Sequence, residues 1–292
     1  MILNNYFTSD VDTAIIVNKI FRIFVQIRME EKMKVSLIQM AIHEAKPKQN
    51  RKKVLDLLDK AVHDAPDVIV LPEMWNTGYA LEELANLADV NGEETTTVLG
   101  NFARKHHVNL VAGSVATAKE NHFFNTTYVF NREGQVIADY DKVHLFGLMA
   151  EDNYLQAGSK ESIFELDGIK AVSVICYDIR FPEWVRTLMS SGAKILFVVA
   201  EWPKERVEQW EILLRARAVE NQAFVVAVNR VGDGISDYFL GHSLVIDPLG
   251  KIILQVPDNQ EGIFTAELDL TEVENIRGQI PVFADRKPNL YH

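Results

Sequence analysis

Residues 171–183 read AVSVICYDIRFPE. The run opens apolar and β-branched, as a strand buried on both faces does, and then breaks into polar, aromatic and proline residues. Cys176 therefore stands where a buried strand ends, at the rim of a core, and it is the only cysteine of the chain. A lone free cysteine most often behaves as a small, inert hydrophobe. Two other stretches set this one apart. DVIVLPE, residues 67–73, ends a short apolar run on Glu73, and ADYDK, residues 138–142, ends another on Lys142.

Working outward, strands alternate with helices. MKVSLIQM, residues 33–40, reads as a first strand, and residues 50–65 as a helix with Val54, Leu57, Leu58 and Val62 on one face. Residues 95–106 read as a second helix and NLVAGSVA, residues 109–116, as a third strand. TTYVF and VIADYDK around a Gly-containing turn form a hairpin, and IFELDGIKAVSVICYD repeats the device with Asp167-Gly168 at its turn. A helix over residues 182–190 opens on a proline. AKILFVVAE is a further buried strand, residues 204–220 a helix, and AFVVAVNRVG another strand. HSLVIDPLGKIILQV is a hairpin, GIFTAELDL the last strand, and residues 271–277 a closing helix. Hairpins mixed with helical crossovers give an α/β protein whose sheets are not purely parallel. The tail IPVFADRKPNLYH, residues 280–292, places apolar residues between prolines and charges and reads as a segment that crosses a neighbouring surface, a partner subunit included.

The chain has 292 residues, enough for a core that needs no disulfide or metal to hold it. A single cysteine excludes an intrachain disulfide and fits a reducing, cytoplasmic setting. The net charge of −11 argues against a nucleic-acid partner, because phosphate binding needs a basic face. Residues 1–31 contain AIIVNKIFRIFVQI, too short and too charged to insert stably across a bilayer and without the pattern of a secretory signal. They read as an appendage before a single domain over residues 32–292, with Met29 and Met33 both available as starts.

The chemistry open to three strand ends depends on their meeting. A thiol at its ordinary pKa is mostly protonated at neutral pH and needs a base or a cation beside it. Glu73 can take its proton, and the Lys142 ammonium can stabilise a thiolate and then an oxyanion. The backbone N–H of Tyr177 offers a second oxyanion donor. Carboxylate, ammonium and thiol are a sufficient set for acyl transfer, with no histidine required. Taken singly, each of the two charges reads as a surface group or half of a salt bridge.

LPEMWNTGY (71–79), YDKVHLFG (140–147), VICYDIRFPEW (174–184) and EWPKERVEQWEILLRARAVENQAFVVAVNR (201–230) closely resemble the signature stretches of the nitrilase superfamily of carbon–nitrogen hydrolases. The likeness runs in order from Met33 to Tyr291. It implies a four-layer αββα sandwich, dimerisation through sheet-flanking helices, and a Glu–Lys–Cys triad at Glu73, Lys142 and Cys176. It also implies a second glutamate after the lysine strand, matched by Glu151, with Asp152 standing beside it. WNTGY, HLFGLMAEDNYLQAGS and IPVFADRKPNLY further resemble the ω-amidase branch and its bacterial members associated with methionine salvage. The implied substrate is a 2-oxo-dicarboxylic acid monoamide such as 2-oxoglutaramate, cleaved through a Cys thioester with release of ammonia. An N-carbamoyl amine or N-carbamoyl amino-acid hydrolase is the alternative within the superfamily; a non-catalytic binding protein is the alternative outside it.

Among the remaining candidates, Arg180 can clamp a substrate carboxylate or pair with Glu183 or Asp178. Tyr79, Phe146, Tyr177 and Trp202 can wall a pocket or simply fill core. Glu201-Trp202 follows a strand directly and is expected at the same rim as Cys176. His106-His107 lacks metal-ligand spacing, and neither His144 nor His242 belongs to a metal motif, so no metal is expected. No phosphate-binding glycine motif occurs, and no cofactor is expected.

Overall fold

The computed structural model describes residues 32–291, so the reading of residues 1–31 lies outside the described residues. Sixteen strands follow in order: β1 (Lys32–Gln39), β2 (Val68–Val70), β3 (Asp89–Val90), β4 (Asn109–Val111), β5 (Val115–Lys119), β6 (His122–Phe130), β7 (Val136–Asp141), β8 (Ile163–Leu166), β9 (Ile169–Ile175), β10 (Ile195–Ala200), β11 (Phe224–Asn229), β12 (Val231–Asp233), β13 (Tyr238–Leu240), β14 (Leu244–Ile246), β15 (Ile252–Gln255) and β16 (Gly262–Asp269). One sheet runs β16-β1-β2-β4-β6-β5-β3, with β7 also paired to β6. The other runs β15-β14-β11-β10-β9-β8, and β12 and β13 form a separate ribbon.

Side chains alternate across each strand, and the alternation sorts them into layers. Val35 and Leu37 of β1, and Val68 and Val70 of β2, join one buried cluster with Val172, Val174 and Val198 of the second sheet. Ile38 and Ile69 point the other way, onto Val54, Leu58, Leu99 and Phe102 of the helices Pro47–Ala61 and Glu93–His106. On the far side, helices Pro182–Met189 and Val207–Asn221 bring Val185, Leu188, Trp210 and Leu214 onto the second sheet. Helix, sheet, sheet, helix is the four-layer αββα sandwich expected from the sequence.

Both hairpins flanking the rim form as read. Asp167 and Gly168 take φ of 50° and 81°, the left-handed pair that a two-residue hairpin turn needs. The stretch NLVAGSVA departs from expectation, because it is two strands, β4 and β5. The chain turns at Gly113, where a Cβ would sit 2.0 Å from the carbonyl oxygen of Pro72. The tail crosses a surface of its own chain. Phe283 packs between the guanidinium groups of Arg186 and Arg277, at 5.0 and 4.9 Å, and Arg286 donates to Ser190 Oγ at 2.6 Å.

The layers place the site. Strands β9, β10 and β11 are parallel neighbours, with Ile175 opposite Val199 and Ala200 opposite Asn229. The residues that follow them, Cys176, Glu201 and Arg230, leave the sheet at one edge. Open α/β sheets place ligands outside the carboxyl ends of their strands.

Candidate active site

Glu73, Lys142 and Glu151 lie fully buried together at this edge. Glu73 follows β2 and Lys142 follows β7, while Glu151 opens a one-turn helix, Glu151–Tyr154. Lys142 Nζ donates to Glu73 Oε1 at 2.9 Å and to Glu151 Oε1 at 2.6 Å. Burying an ammonium costs several kcal/mol unless partners compensate. Here burial lowers the Lys142 pKa, but Glu151 and Glu73 together outweigh burial and hold the ammonium well above its ordinary range.

Each carboxylate has its own donors. Glu73 Oε1 also accepts from Tyr79 Oη at 2.9 Å and Asn125 Nδ2 at 2.8 Å, while Oε2 accepts the Glu201 backbone N–H at 2.7 Å. Glu151 Oε1 accepts from Tyr79 Oη, and Oε2 from the Phe146 N–H at 2.8 Å. Glu151 is pushed up by burial, which the neighbouring ammonium only partly offsets. Asp152, the competing candidate for the second acid, is exposed and stands outside this network. Of the predicted pocket walls, Tyr79 borders the neighbouring cavity and also reaches the acids. Its ring is core, but its hydroxyl bridges the two acids, and desolvation with those acids keeps the phenol protonated.

Cys176 is 4% exposed and adopts φ of 44°, a left-handed conformation rare for a side chain of this size. The strain is held by Asp178, two residues on. Its Oδ2 accepts from the Ile175 N–H at 3.0 Å and from Tyr140 Oη at 2.8 Å. Its Oδ1 accepts the His144 N–H at 3.0 Å and lies 2.7 Å from His144 Nδ1. Tyr140 and His144 flank Lys142 on either side, so one carboxylate ties the turn after β9 to the segment carrying the ammonium. Arg217 adds a bond from the helix below, Nε to the Ile179 carbonyl at 2.9 Å. Cys176 Sγ lies 3.8 Å from the carbonyl of Glu201. Burial pushes the thiol pKa up, the nearby Glu73 carboxylate pushes further, and Lys142 opposes them. The resting group is therefore a thiol, and a base must remove its proton during reaction.

The wall above the sulfur is aromatic and cationic. Phe146, Tyr177, Arg180, Trp202 and Arg206 gather around Cys176. Phe146 and Tyr177 meet in a tilted contact with centroids 4.7 Å apart, and the Arg180 guanidinium lies 4.8 Å from the centre of the Trp202 ring. Trp202 is fixed by Asn229, whose Oδ1 accepts its N–H at 2.7 Å and whose Nδ2 donates to its carbonyl at 3.0 Å. Among the described residues, Arg180 pairs with neither Asp178 nor Glu183. Asp178 is spent on the tether, which removes that alternative for the arginine.

A second buried charge group escaped sequence reasoning. Arg230 Nη1 donates to Glu201 Oε2 and Glu44 Oε1, each at 2.7 Å, and Nη2 to the carbonyls of Ile42 and Asp233. Glu201 Oε1 and Glu44 Oε2 are buried without a hydrogen-bond partner. They border a cavity of about 210 Å³ that also touches Tyr79, Asp237 and Phe239. The signal for this group lay in the register of β10 and β11, which sets residue 201 beside residue 230.

The carbon-nitrogen hydrolase family model matches residues 34–278. A Bacillus subtilis protein named 2-oxoglutaramate amidase is 48% identical over 260 residues, which covers 89% of this chain and all of that one. An Escherichia coli omega-amidase is 37% identical, covering 75% of this chain and 84% of the other. Among solved structures, Saccharomyces cerevisiae Nit3, a member of the nitrilase superfamily, superposes with a TM-score of 0.82 at 28% identity, covering 89% of this chain and 97% of its own.

Proposed function

The chain belongs to the carbon–nitrogen hydrolase family, within the nitrilase superfamily, and as an enzyme it acts on amide C–N bonds; on that premise we propose that it is an ω-amidase of small 2-oxo acid monoamides such as 2-oxoglutaramate. The observation that carries this reading is the fully buried Glu73–Lys142–Glu151 cluster beside the only thiol. The active unit is residues 32–292.

The residues take the following roles. Glu73 accepts the thiol proton as Cys176 Sγ attacks the amide carbon. Its Oε2 has only the Glu201 N–H as donor, so a lone pair is free for that proton. Lys142 Nζ and the Tyr177 N–H stabilise the oxyanion. The proton then passes from Glu73 to the amide nitrogen, the C–N bond breaks, and ammonia leaves a thioester on Cys176. Water, deprotonated by Glu73, attacks the thioester carbon, and the thiol and 2-oxo acid are released. Glu151 fixes the ammonium, and Arg180 receives the substrate carboxylate. Tyr177, Trp202 and Phe146 wall the acyl chain, and Tyr79 holds the two acids in place.

An N-carbamoyl amine hydrolase is a second reading, and one observation favours it. The cavity bordered by Glu44, Glu201 and Asp237 has the charge that would receive an ammonium at the far end of a substrate. The 48% identical 2-oxoglutaramate amidase weighs the other way. An ammonia-release panel separates them, comparing 2-oxoglutaramate, 2-oxosuccinamate, glutamine, N-carbamoylputrescine and a simple nitrile. Preference for 2-oxoglutaramate by kcat/KM supports the lead, and preference for the carbamoyl compound overturns it.

The proposal extends to assembly and setting: a cytoplasmic homodimer serving methionine salvage. Helix Val207–Asn221 buries Trp210, Leu214 and Ala218 inward yet exposes Ile212 and Val219 outward, beside exposed Leu249. A helix apolar on both faces suits a subunit contact. Among the described residues, no helix is long and apolar enough to cross a membrane.

A further inference from the structure

We propose that Arg206 is a specificity-determining residue, the second half of a two-guanidinium clamp that closes with Arg180 on the carboxylate of the substrate. The inference rests on the ω-amidase reading and names what recognises the charged end of its substrate.

Arg206 ends the one-turn segment Lys204–Arg206, immediately before helix Val207–Asn221. Its backbone is pinned from the site side, because Trp202 Nε1 donates to the Arg206 carbonyl at 2.7 Å. Its guanidinium lies 5.4 Å from the centre of the Phe146 ring, and Arg180 lies 4.8 Å from the centre of Trp202. Both guanidinium groups thus rest on rings that themselves border Cys176, and both residues line the space of about 10 Å³ at its sulfur, which must widen to take a substrate.

Among the described residues, both guanidinium groups stand without an anionic partner. The chain carries 41 acidic residues against 30 lysines and arginines, so carboxylates to pair with are in excess. Yet among the described residues neither Arg180 nor Arg206 forms an ion pair, although both are half-buried. A ring face holds a guanidinium in orientation but leaves its in-plane N–H donors unused. Two such forks beside one sulfur match a carboxylate, whose two oxygens accept a bidentate pair from one fork and retain lone pairs for the other. A 2-oxo acid monoamide presents one carboxylate at the end opposite its scissile amide, and a 2-oxo oxygen beside it. Anchoring that end at the arginines directs the amide carbon toward the thiol, away from the acid-lined cavity on the other side of Glu201.

The discriminating experiment compares R206Q with the wild-type enzyme on 2-oxoglutaramate and on pentanamide, an uncharged amide of the same length. For the clamp, kcat/KM on 2-oxoglutaramate falls about 10- to 100-fold, chiefly through KM, while pentanamide changes less than about twofold. R206K, which keeps the charge without the fork, recovers part of the loss. An equal loss on both amides makes Arg206 a structural support of the Phe146 loop and overturns the proposal. No loss on either overturns it as well. Glutarate binding, measured by calorimetry, reads the clamp without turnover: its Kd rises about 10-fold or more in R206Q, and an unchanged Kd refutes the clamp. Should the wild-type enzyme prefer the carbamoyl amine, the substrate assignment fails on that panel, while the glutarate measurement still decides the clamp.

Discussion

Tyr79 joins the two acids of the site through one oxygen atom, and its removal is the most selective change available there. Y79F keeps the buried ring and deletes only the hydroxyl whose single proton is shared between Glu73 Oε1 and Glu151 Oε1. Two carboxylates then face each other with Lys142 as their remaining shared donor. The expected result is a fall in kcat of about 10- to 100-fold with little change in KM, and a loss of about 1–3 kcal/mol of stability. Steady-state kinetics and urea unfolding check both, and an unaltered kcat would show that the bridge is dispensable. C176A tests the centre itself: turnover should disappear. Because the resting group is a neutral thiol, stability should move by no more than about 1 kcal/mol. Ammonia release above background from pure C176A would remove the thioester route. At this scale the sequence showed Glu73, the amine and the sulfur, since each stood alone at the end of an apolar run, while Glu151 came only through the family resemblance. It did not show the phenol, because an aromatic in a buried turn reads as wall whether or not its oxygen is used.

At the scale of elements, the site is a meeting of strand ends, and Asp178 holds the meeting together. Ile175 closes β9, Tyr140 belongs to β7, and His144 lies two residues past Lys142; all three bond one carboxylate. Next to this tether the His144 ring stacks on Phe181 with centroids 3.7 Å apart. D178A leaves the Tyr140 hydroxyl and two backbone N–H groups without their partner in a buried place. It should destabilise the protein by about 3–5 kcal/mol and lower kcat/KM even well below the unfolding transition. D178N, which keeps one acceptor and the shape, should recover part of each. If D178A unfolded at the wild-type urea midpoint, the tether would carry no weight. The three hairpins were legible because short strands around turn residues such as Asp167-Gly168 are local signals. The split at Gly113 was not, because it answers to the carbonyl of Pro72, forty-one residues earlier in the chain. The Glu44–Arg230–Glu201 group was hidden for the same reason, since two strands must be set in register before residue 201 meets residue 230.

For the whole molecule, the buried groups that hold their protons too tightly set an alkaline limit. Cys176 is raised well above 9.0, Tyr79 and Tyr140 well above 10.0, and Lys142 well above 10.5. For the thiol and both phenols the first cause is burial, reinforced by neighbouring carboxylates. For the lysine, burial works against the shift and the Glu151 and Glu73 carboxylates win. In the unfolded chain these groups titrate at their ordinary values. Above about pH 9 the unfolded state therefore binds fewer protons than the folded state, and stability falls as pH rises. The contribution of each group is complete below its unfolded pKa and is lost as pH climbs through its folded value. The loss begins with the thiol near pH 9, is joined by the phenols near 10, and steepens with the lysine. Each group adds up to about 1.4 kcal/mol per pH unit while it is ionised only in the unfolded state. The urea midpoint should thus drop progressively from pH 9 to 11. C176A should delay the start of that drop, and Y79F should make it shallower above pH 10. A midpoint that held steady or rose between pH 9 and 11 would mean that water reaches these groups in the folded protein, and with it the dry setting on which the acid, the ammonium and the thiol depend would be lost.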